Sequence, residues 1–336
     1  MLNTSIIFGV NKLMSVVLVN PKNSQPLRIL ESALVDDCGN SFPIVNDVPR
    51  ITSSGNYTDN FGIQWNKFDK IQLDREADGH NISRKRFFAE TRWDIQDLIG
   101  QNLLEVGSGA GRFSKVVLEY TRANLYSVDY SDAVTANHKN NCPIAPDRFH
   151  LFQASIYELP FPDDSFDKVF CLGVLQHTPD FGASVKALIS KAKIGGEIVV
   201  DFYPIKGWWT KVHAKYILRP ITKRLSHGRL MHIIEKNIKW LMKLEHILHR
   251  LGLRKLARFL PIVDIHGTLP KWLSETEKRE WAILDTFDMF SPEYDNPQRI
   301  RDVAAMFKLH GADVTFAGFE YFDGFSAAVV RGIKRE

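Results

Sequence analysis

Three glycines, Gly107, Gly109 and Gly111, follow an apolar run in LLEVGSGAGRFS, and Glu105 stands two residues before the first of them. Glycine where a strand gives way to a helix lets backbone approach a ligand closely, and the N–H groups of the helix start face whatever binds. The dinucleotide pattern G-x-G-x-x-G would need a third glycine at position 112, where the chain has Arg112. A carboxylate at 105 opposes a pyrophosphate but suits a sulfonium or an amino group. Asp129, 24 residues after Glu105, ends the next apolar run in YSVDYSDA, where an acid can accept from both hydroxyls of a ribose. Two later segments, QASIYELPFPDDSFDKVF and CLGVLQHTPD, bring further polar groups to run ends, among them Cys171 and His177.

The elements that position these residues alternate. Strands are expected over 102–106, 124–129, 149–154, 168–172 and 197–202, with helices from the glycine turn to about 120, from 132, and over 181–192. Such order calls for a parallel sheet covered by helices on both faces. After a helix over about 297–309, strands 314–319 and 326–332 are joined by the short loop around Asp323-Gly324, a hairpin that places one antiparallel strand in the sheet. The fold expected is therefore α/β: a Rossmann-like, doubly wound, mostly parallel sheet with a C-terminal antiparallel hairpin, a small N-terminal β module and a helical insert. At 336 residues with 44% hydrophobic and 24% charged, the chain has the composition of an ordinary folded protein and room for about two domains. Three distant cysteines offer no disulfide framework, which suits a cytoplasmic setting. No apolar stretch reaches membrane-spanning length, no signal peptide is expected, and the residues before Met14 read as a frayed extension.

With LPFPDDSFD between the third and fourth strands, residues 105–202 resemble the class I methyltransferases that use S-adenosylmethionine. The resemblance implies that Glu105, Gly107, Ser108, Gly109 and Gly111 cradle the methionine part of that cofactor. Asp129 and Tyr130 would hold the ribose and one adenine face, Ser155 and Ile156 the adenine edge, and Cys171, Leu172 and Gly173 the floor. Many relatives carry Asp where Ser155 stands, and a hydroxyl accepts more weakly there. The candidates for a base are His177, then Tyr203, then His266; the pattern requires no metal. Asp163, Asp164 and Asp167 read as turn formers.

Residues 14–56 resemble a zinc-ribbon-like module that has lost its ligands: Asn20 to Asn23 (NPKN) stand where C-P-x-C would, and Cys38 lacks a partner, so no zinc is expected. Residues 57–100 form an expected helical cap resembling that of methyltransferases from bacterial surface-polysaccharide gene clusters. There Gln64 and Trp65 are candidates to touch the ligand, and Arg84 or Arg86 to pair with its carboxylate. The core is expected over 101–203 and 290–336, and a basic helical insert for substrate recognition over 204–289. Between 203 and 260 fourteen Lys and Arg face two Glu, a charge of +12 against −8 for the rest of the chain. Three readings of this block compete: a solvated cap, contact with an anionic membrane surface or lipid-linked substrate at the inner face of the membrane, and RNA binding. The function expected is methyl transfer to a small, nucleotide-linked or lipid-linked, anionic acceptor such as a sugar. A cofactor-binding scaffold without turnover and a tRNA-modifying enzyme are the alternatives.

Overall fold

In the computed structural model, residues 14–52, 56–75 and 79–336 are described; the expected extension before Met14 lies outside them. Four short strands come first, β1 (Arg28–Leu30), β2 (Ala33–Val35), β3 (Ser41–Val45) and β4 (Val48–Ile51). Helices α1 (Asp59–Lys67) and α2 (Ile82–Thr91) follow. The alternating part comprises β5 (Asn102–Val106), α3 (Arg112–Tyr120), β6 (Asn124–Asp129), α4 (Val134–Asn141), β7 (Phe149–Ala154), β8 (Phe166–Cys171), α5 (Phe181–Lys191) and β9 (Ala192–Phe202). The insert holds α6 (Ala214–Thr222), α7 (His227–Arg250), α8 (Arg254–Ala257), α9 (Ile265–Thr268) and α10 (Glu275–Phe290). The chain closes with α11 (Ile300–Leu309), β10 (Ala312–Phe322) and β11 (Phe325–Lys334).

All strands join one sheet in the order β1-β2-β3-β4-β7-β6-β5-β8-β9-β11-β10. From β4 to β9 the neighbours run parallel, and β11 pairs antiparallel with β9 and with β10. At the hairpin tip Asp323 and Gly324 have φ of 49° and 85°, the positive pair that a tight two-residue turn demands. The chain order reverses at β5, between β6 and β8, and in such sheets the ligand crevice lies beyond the C-terminal ends of the strands at that point.

Strand periodicity explains why the central strands are apolar throughout. Leu104, Tyr126, Phe152, Val169 and Ile198 pack on one face with α5 and α11. Their neighbours Leu103, Leu125, Leu151, Phe170 and Val199 pack on the other, with Phe87 of α2 and Phe113 and Val117 of α3. The insert has its own core, where Leu230, Ile234, Ile238 and Leu241 of α7 meet Trp281, Leu284 and Phe287 of α10.

The N-terminal strands extend the main sheet, because β4 pairs in parallel with β7 through Arg50 with Gln153 and Ile51 with Ala154. Asn20 and Asn23, where the resemblance would put metal-binding cysteines, donate to Asp36 Oδ2 at 2.7 and 2.8 Å; Asn40 Nδ2 does so at 2.8 Å. The Cys38 and Asn40 backbone N–H groups donate to Asp36 Oδ1. Burial would raise this carboxyl, but the bonds from Asn23, Asn20 and Asn40 outweigh it and hold the group well below its ordinary 3.8. A lowered folded pKa stabilises the fold above the unfolded value and ceases to do so as the pH falls toward the folded one. Asp36→Ala should therefore lower the melting temperature at neutral pH, and the gap to wild type should narrow below pH 3.8. A gap constant with pH would mean that the ionised carboxylate contributes nothing.

Candidate functional site

A cavity of about 800 Å³ opens at the C-terminal ends of β5, β6, β8 and β9, walled by Gly107 to Gly109, Asp129, Tyr130, Leu172, Gly173 and Asp201. Helix α1 covers it with Phe61 and Trp65, joined by Tyr57 just before the helix, and α10 closes it with Trp281, Asp285 and Asp288. Two of the three glycines are obligatory for reasons of space. At Gly107, with φ 84°, a Cβ would lie 2.3 Å from a Val174 methyl; at Gly111, with φ 85°, it would lie 2.1 Å from the amides of Asn137 and Asn141. Gly111 thus serves the packing of α3 on α4 and is not part of the cavity wall. Gly109 lies beneath the Trp65 indole, 3.1 Å from where a Cβ would stand.

The two strand-tip acids differ in setting. Asp129 faces the cavity; its Oδ2 accepts from the Gly109 N–H at 2.8 Å and its Oδ1 from the Ser131 N–H at 2.8 Å and hydroxyl at 2.6 Å. Burial nevertheless raises its carboxyl above the ordinary 3.8. Glu105 lies behind the glycine turn, where Ser114 and Ser127 donate to Oε2, and Asn137 holds both serines. Its Oε1 is buried with no hydrogen-bond partner, and burial pushes the carboxyl up to about 7.

Other residues expected at the site are placed differently. Ile156, Leu172 and Gly173 line the cavity. Ser155 accepts from the Tyr157 N–H at 3.2 Å, and Cys171 is fully buried in the core, its thiol raised well above the ordinary value by burial; neither belongs to the wall. Arg84 stacks on the Tyr120 ring, away from the cavity. Arg86 reaches the wall but is occupied by Glu90, at 2.8 Å, and by Asp201. His266 lies outside the cavity, with Nδ1 2.9 Å from Glu245 and its ring stacked on His249.

His177 and Tyr203 do meet on the cavity wall, with ring centroids 5.6 Å apart. His177 is buried, with Nδ1 3.2 Å from the Tyr294 carbonyl and Nε2 3.9 Å from Asp288 Oδ2. The carbonyl can only accept, so Nδ1 carries the proton and Nε2 keeps its lone pair. Burial lowers the imidazole below its ordinary 6.5, and Asp288 opposes that shift. The Tyr203 hydroxyl donates to Asp288 Oδ2 at 3.2 Å, and burial followed by the Asp288 charge raises it well above 10. Tyr203 thus stands in this site as a hydrogen-bond donor to Asp288.

Two residues of this site escaped sequence reasoning. Asp288 sits three residues after Asp285 on the α10 stripe that carries Trp281 and Leu284; two acids on an apolar helix face were the available signal. Arg112 is the other. Its Nη1 donates to Gln72 Oε1 at 2.8 Å and its Nε to Ser83 Oγ at 3.2 Å, both neutral acceptors, and burial with the nearby Arg86 lowers it to about 10. A half-buried cation at the cavity wall, hydrogen-bonded to neutral groups, is a place for a ligand carboxylate.

Residues 104–200 match the family model described as methyltransferase domain. This segment is a methyltransferase domain. A tRNA U34 carboxymethyltransferase of Nautilia profundicola is 30% identical over 122 residues, which are 34% of this chain and 40% of the relative. A ubiquinone/menaquinone biosynthesis C-methyltransferase of Vibrio campbellii is 28% identical over 130 residues, 37% of this chain and 50% of the relative. The chain thus spans half or less of the length of these curated relatives. Among solved structures, magnesium protoporphyrin IX methyltransferase from Synechocystis with bound SAH is 14% identical, with a TM-score of 0.47 over 83% of this chain and 96% of that one.

The cofactor of such a domain is S-adenosylmethionine, and the residues present fit it. Arg112 suits a carboxylate and Asp129 stands at the wall as an acceptor, while the unpartnered Glu105 oxygen lies behind the glycine turn and off the wall, where a cation held at the turn would act on it through space. Bringing a cation beside Glu105 favours its ionised form, so affinity should be constant above about pH 7 and fall below it, where the carboxyl must first lose its proton. Calorimetry from pH 6 to pH 8 on wild type and Glu105→Gln checks this, since the variant should lose that pH dependence. A slope that survives the substitution would assign it to another group.

Proposed function

We propose that the chain transfers a methyl group from S-adenosylmethionine to an acceptor held between the glycine turn and the His177–Asp288 wall. The observation that carries this reading is that one cavity is lined both by the glycine turn with Asp129 and by a neutral, oriented imidazole. When bound, the cofactor supplies a methyl group on a sulfonium. Asp129 would accept from the ribose hydroxyls, Tyr130 would flank the adenine, and Arg112 would hold the carboxylate. His177 Nε2 would take the proton of an attacking O–H or N–H group, with Asp288 stabilising the imidazolium and Tyr203 steadying Asp288. Tyr57, Phe61 and Trp65 would exclude water and align the acceptor.

The acceptor class follows from how charge is distributed. Asp201, Asp264, Asp285 and Asp288 line the cavity together with Arg86, Arg112, Lys206 and Lys215, so the lining has no surplus of positive charge to draw a polyanion inside. Lys215 and Arg219 are buried, the first on Asp295 at 2.8 Å and the second on the Pro292 carbonyl at 2.8 Å, so they hold the insert together and are not free to steer a substrate. An acceptor whose reacting head is uncharged and whose anionic part stays outside, as in a lipid-linked sugar, fits this distribution better than a phosphate drawn into the cavity. A tRNA acceptor is the second reading, favoured by the basic surface and by a relative of that kind. Incubating the protein with S-adenosylmethionine carrying a labelled methyl group and separate lipid and RNA extracts tests both. Label in neither fraction, together with no cofactor binding by calorimetry, would reject the transfer reading.

A further inference from the structure

The insert carries more apolar surface than its core uses. Helix α7 turns Leu230, Ile234, Ile238 and Leu241 inward. Ile233, Trp240 and Ile247, each about half exposed, stand on a different line of the same helix. Their spacing of seven residues is two turns, so they form one row. Lys236, Lys243 and Arg250 repeat at the same interval, three residues behind each, and stand exposed beside it. The Trp240 indole N–H is already satisfied by Asn237 Oδ1 at 2.8 Å, which leaves its ring free for apolar contact.

The row continues past the end of α7 through Leu251 (66% exposed) to Leu253, Leu256 and Phe259 around α8. Arg258 ties this end to the cavity wall: its side chain donates to the Trp209 carbonyl at 2.6 Å, and its own carbonyl accepts from the Ala214 N–H at 3.0 Å. Trp208, 82% exposed, and Trp209 therefore lie beside α8, and Thr210 and His213 next to them line the cavity.

We propose that this basic and apolar face of the insert docks on an anionic phospholipid surface. A bilayer interface accepts both components at once: rings and aliphatic chains sink to the acyl boundary while lysine and arginine remain among the phosphates. Docking against a second copy is disfavoured, because a twofold pairing would bring the row of Lys236, Lys243 and Arg250 against itself. RNA would neutralise the basic row but leave Ile233, Ile247 and Leu251 in water. Among the described residues no helix is long and apolar enough to cross a membrane, so α7 lies along the surface. The cavity then opens near the headgroups, where a lipid-linked acceptor would be found; the docking itself does not depend on the transfer reading.

Flotation of the full chain with vesicles tests the proposal. Binding is expected to phosphatidylcholine vesicles containing about 30% phosphatidylglycerol, not to phosphatidylcholine alone, and to weaken from about 0.1 M to about 1 M salt. The triple reversal K236E/K243E/R250E should reduce the partition coefficient at least about tenfold, and W240S/I247S should do so even at low salt. Unchanged circular dichroism and cofactor affinity in both variants would show that fold and cradle are intact. Failure of the wild type to float would overturn the proposal, as would sedimentation showing that wild type is a dimer and W240S/I247S a monomer. So would RNA binding that is lost in the reversal while vesicle binding is not. Cofactor affinity is read separately, so failed docking and failed cofactor binding are distinguishable.

Discussion

His177→Asn should lower kcat by about 100- to 10,000-fold, the range expected for losing a positioned general base, while S-adenosylmethionine affinity changes by less than about twofold. The imidazole is suited to the role because its Nδ1 proton is directed at the Tyr294 carbonyl, which leaves Nε2 as the basic nitrogen on the side of Asp288. Its pKa lies below 6.5, so at neutral pH the base is already unprotonated. The rate should then be flat near neutrality and fall on the acid side as His177 takes up a proton. Asp288→Asn distinguishes a base with an oriented counter-ion from a lone imidazole. Removing the anion lowers the His177 pKa further, so the acid limb should move to lower pH while the plateau falls, because the imidazolium formed in the transition state loses its stabiliser. An Asp288→Asn variant with the wild-type limb and plateau would show that the aspartate only anchors Tyr203. A His177→Asn variant with full activity would leave proton removal to the acceptor itself.

Much of the fold and part of the cavity lining could be read from the chain because the relevant signals are local. Asn102–Val106, Asn124–Asp129 and Phe149–Ala154 were legible as strands since each is an apolar run bounded by turn formers. The hairpin strands are longer than expected, Ala312–Phe322 and Phe325–Lys334, because pairing with β9 and with each other overrides the weak alternation at their ends. Gly107 and Asp129 stand at strand tips, so sequence position alone brings them to the crevice. Asp288, Arg112 and the loss of His266 from the site were not legible for the opposite reason. Asp288 arrives from a helix more than 100 residues beyond His177, and which face of that helix meets the cavity is decided by packing of α10 against α7. Arg112 looked like a failed glycine in a phosphate motif, and only the fold brings it to Gln72 and Ser83 as a half-buried cation at the cavity wall. The charge of the insert could be counted but not placed: Lys215 and Arg219 turned inward, while Lys236, Lys243 and Arg250 turned outward.

Asp129→Ala should weaken S-adenosylmethionine binding by about 1 to 3 kcal/mol, roughly 5- to 150-fold, as calorimetry would read it. Two routes lead to that loss, and the geometry separates them. One is direct, because the carboxylate at the cavity wall would no longer accept from the ribose. The other is indirect: Asp129 Oδ2 also accepts from the Gly109 N–H, so its removal frees the glycine turn beneath Trp65. A double-mutant cycle that pairs the protein variant with a cofactor analogue lacking one ribose hydroxyl resolves the two. If the carboxylate acts on the ribose, wild type should lose affinity for the analogue and Asp129→Ala should lose little more, so the two changes overlap. If Asp129 acts only by ordering the turn, the two losses should add in full. Full additivity would take the ribose away from Asp129 and leave it a positioning residue for Gly109, whose N–H it already holds at 2.8 Å.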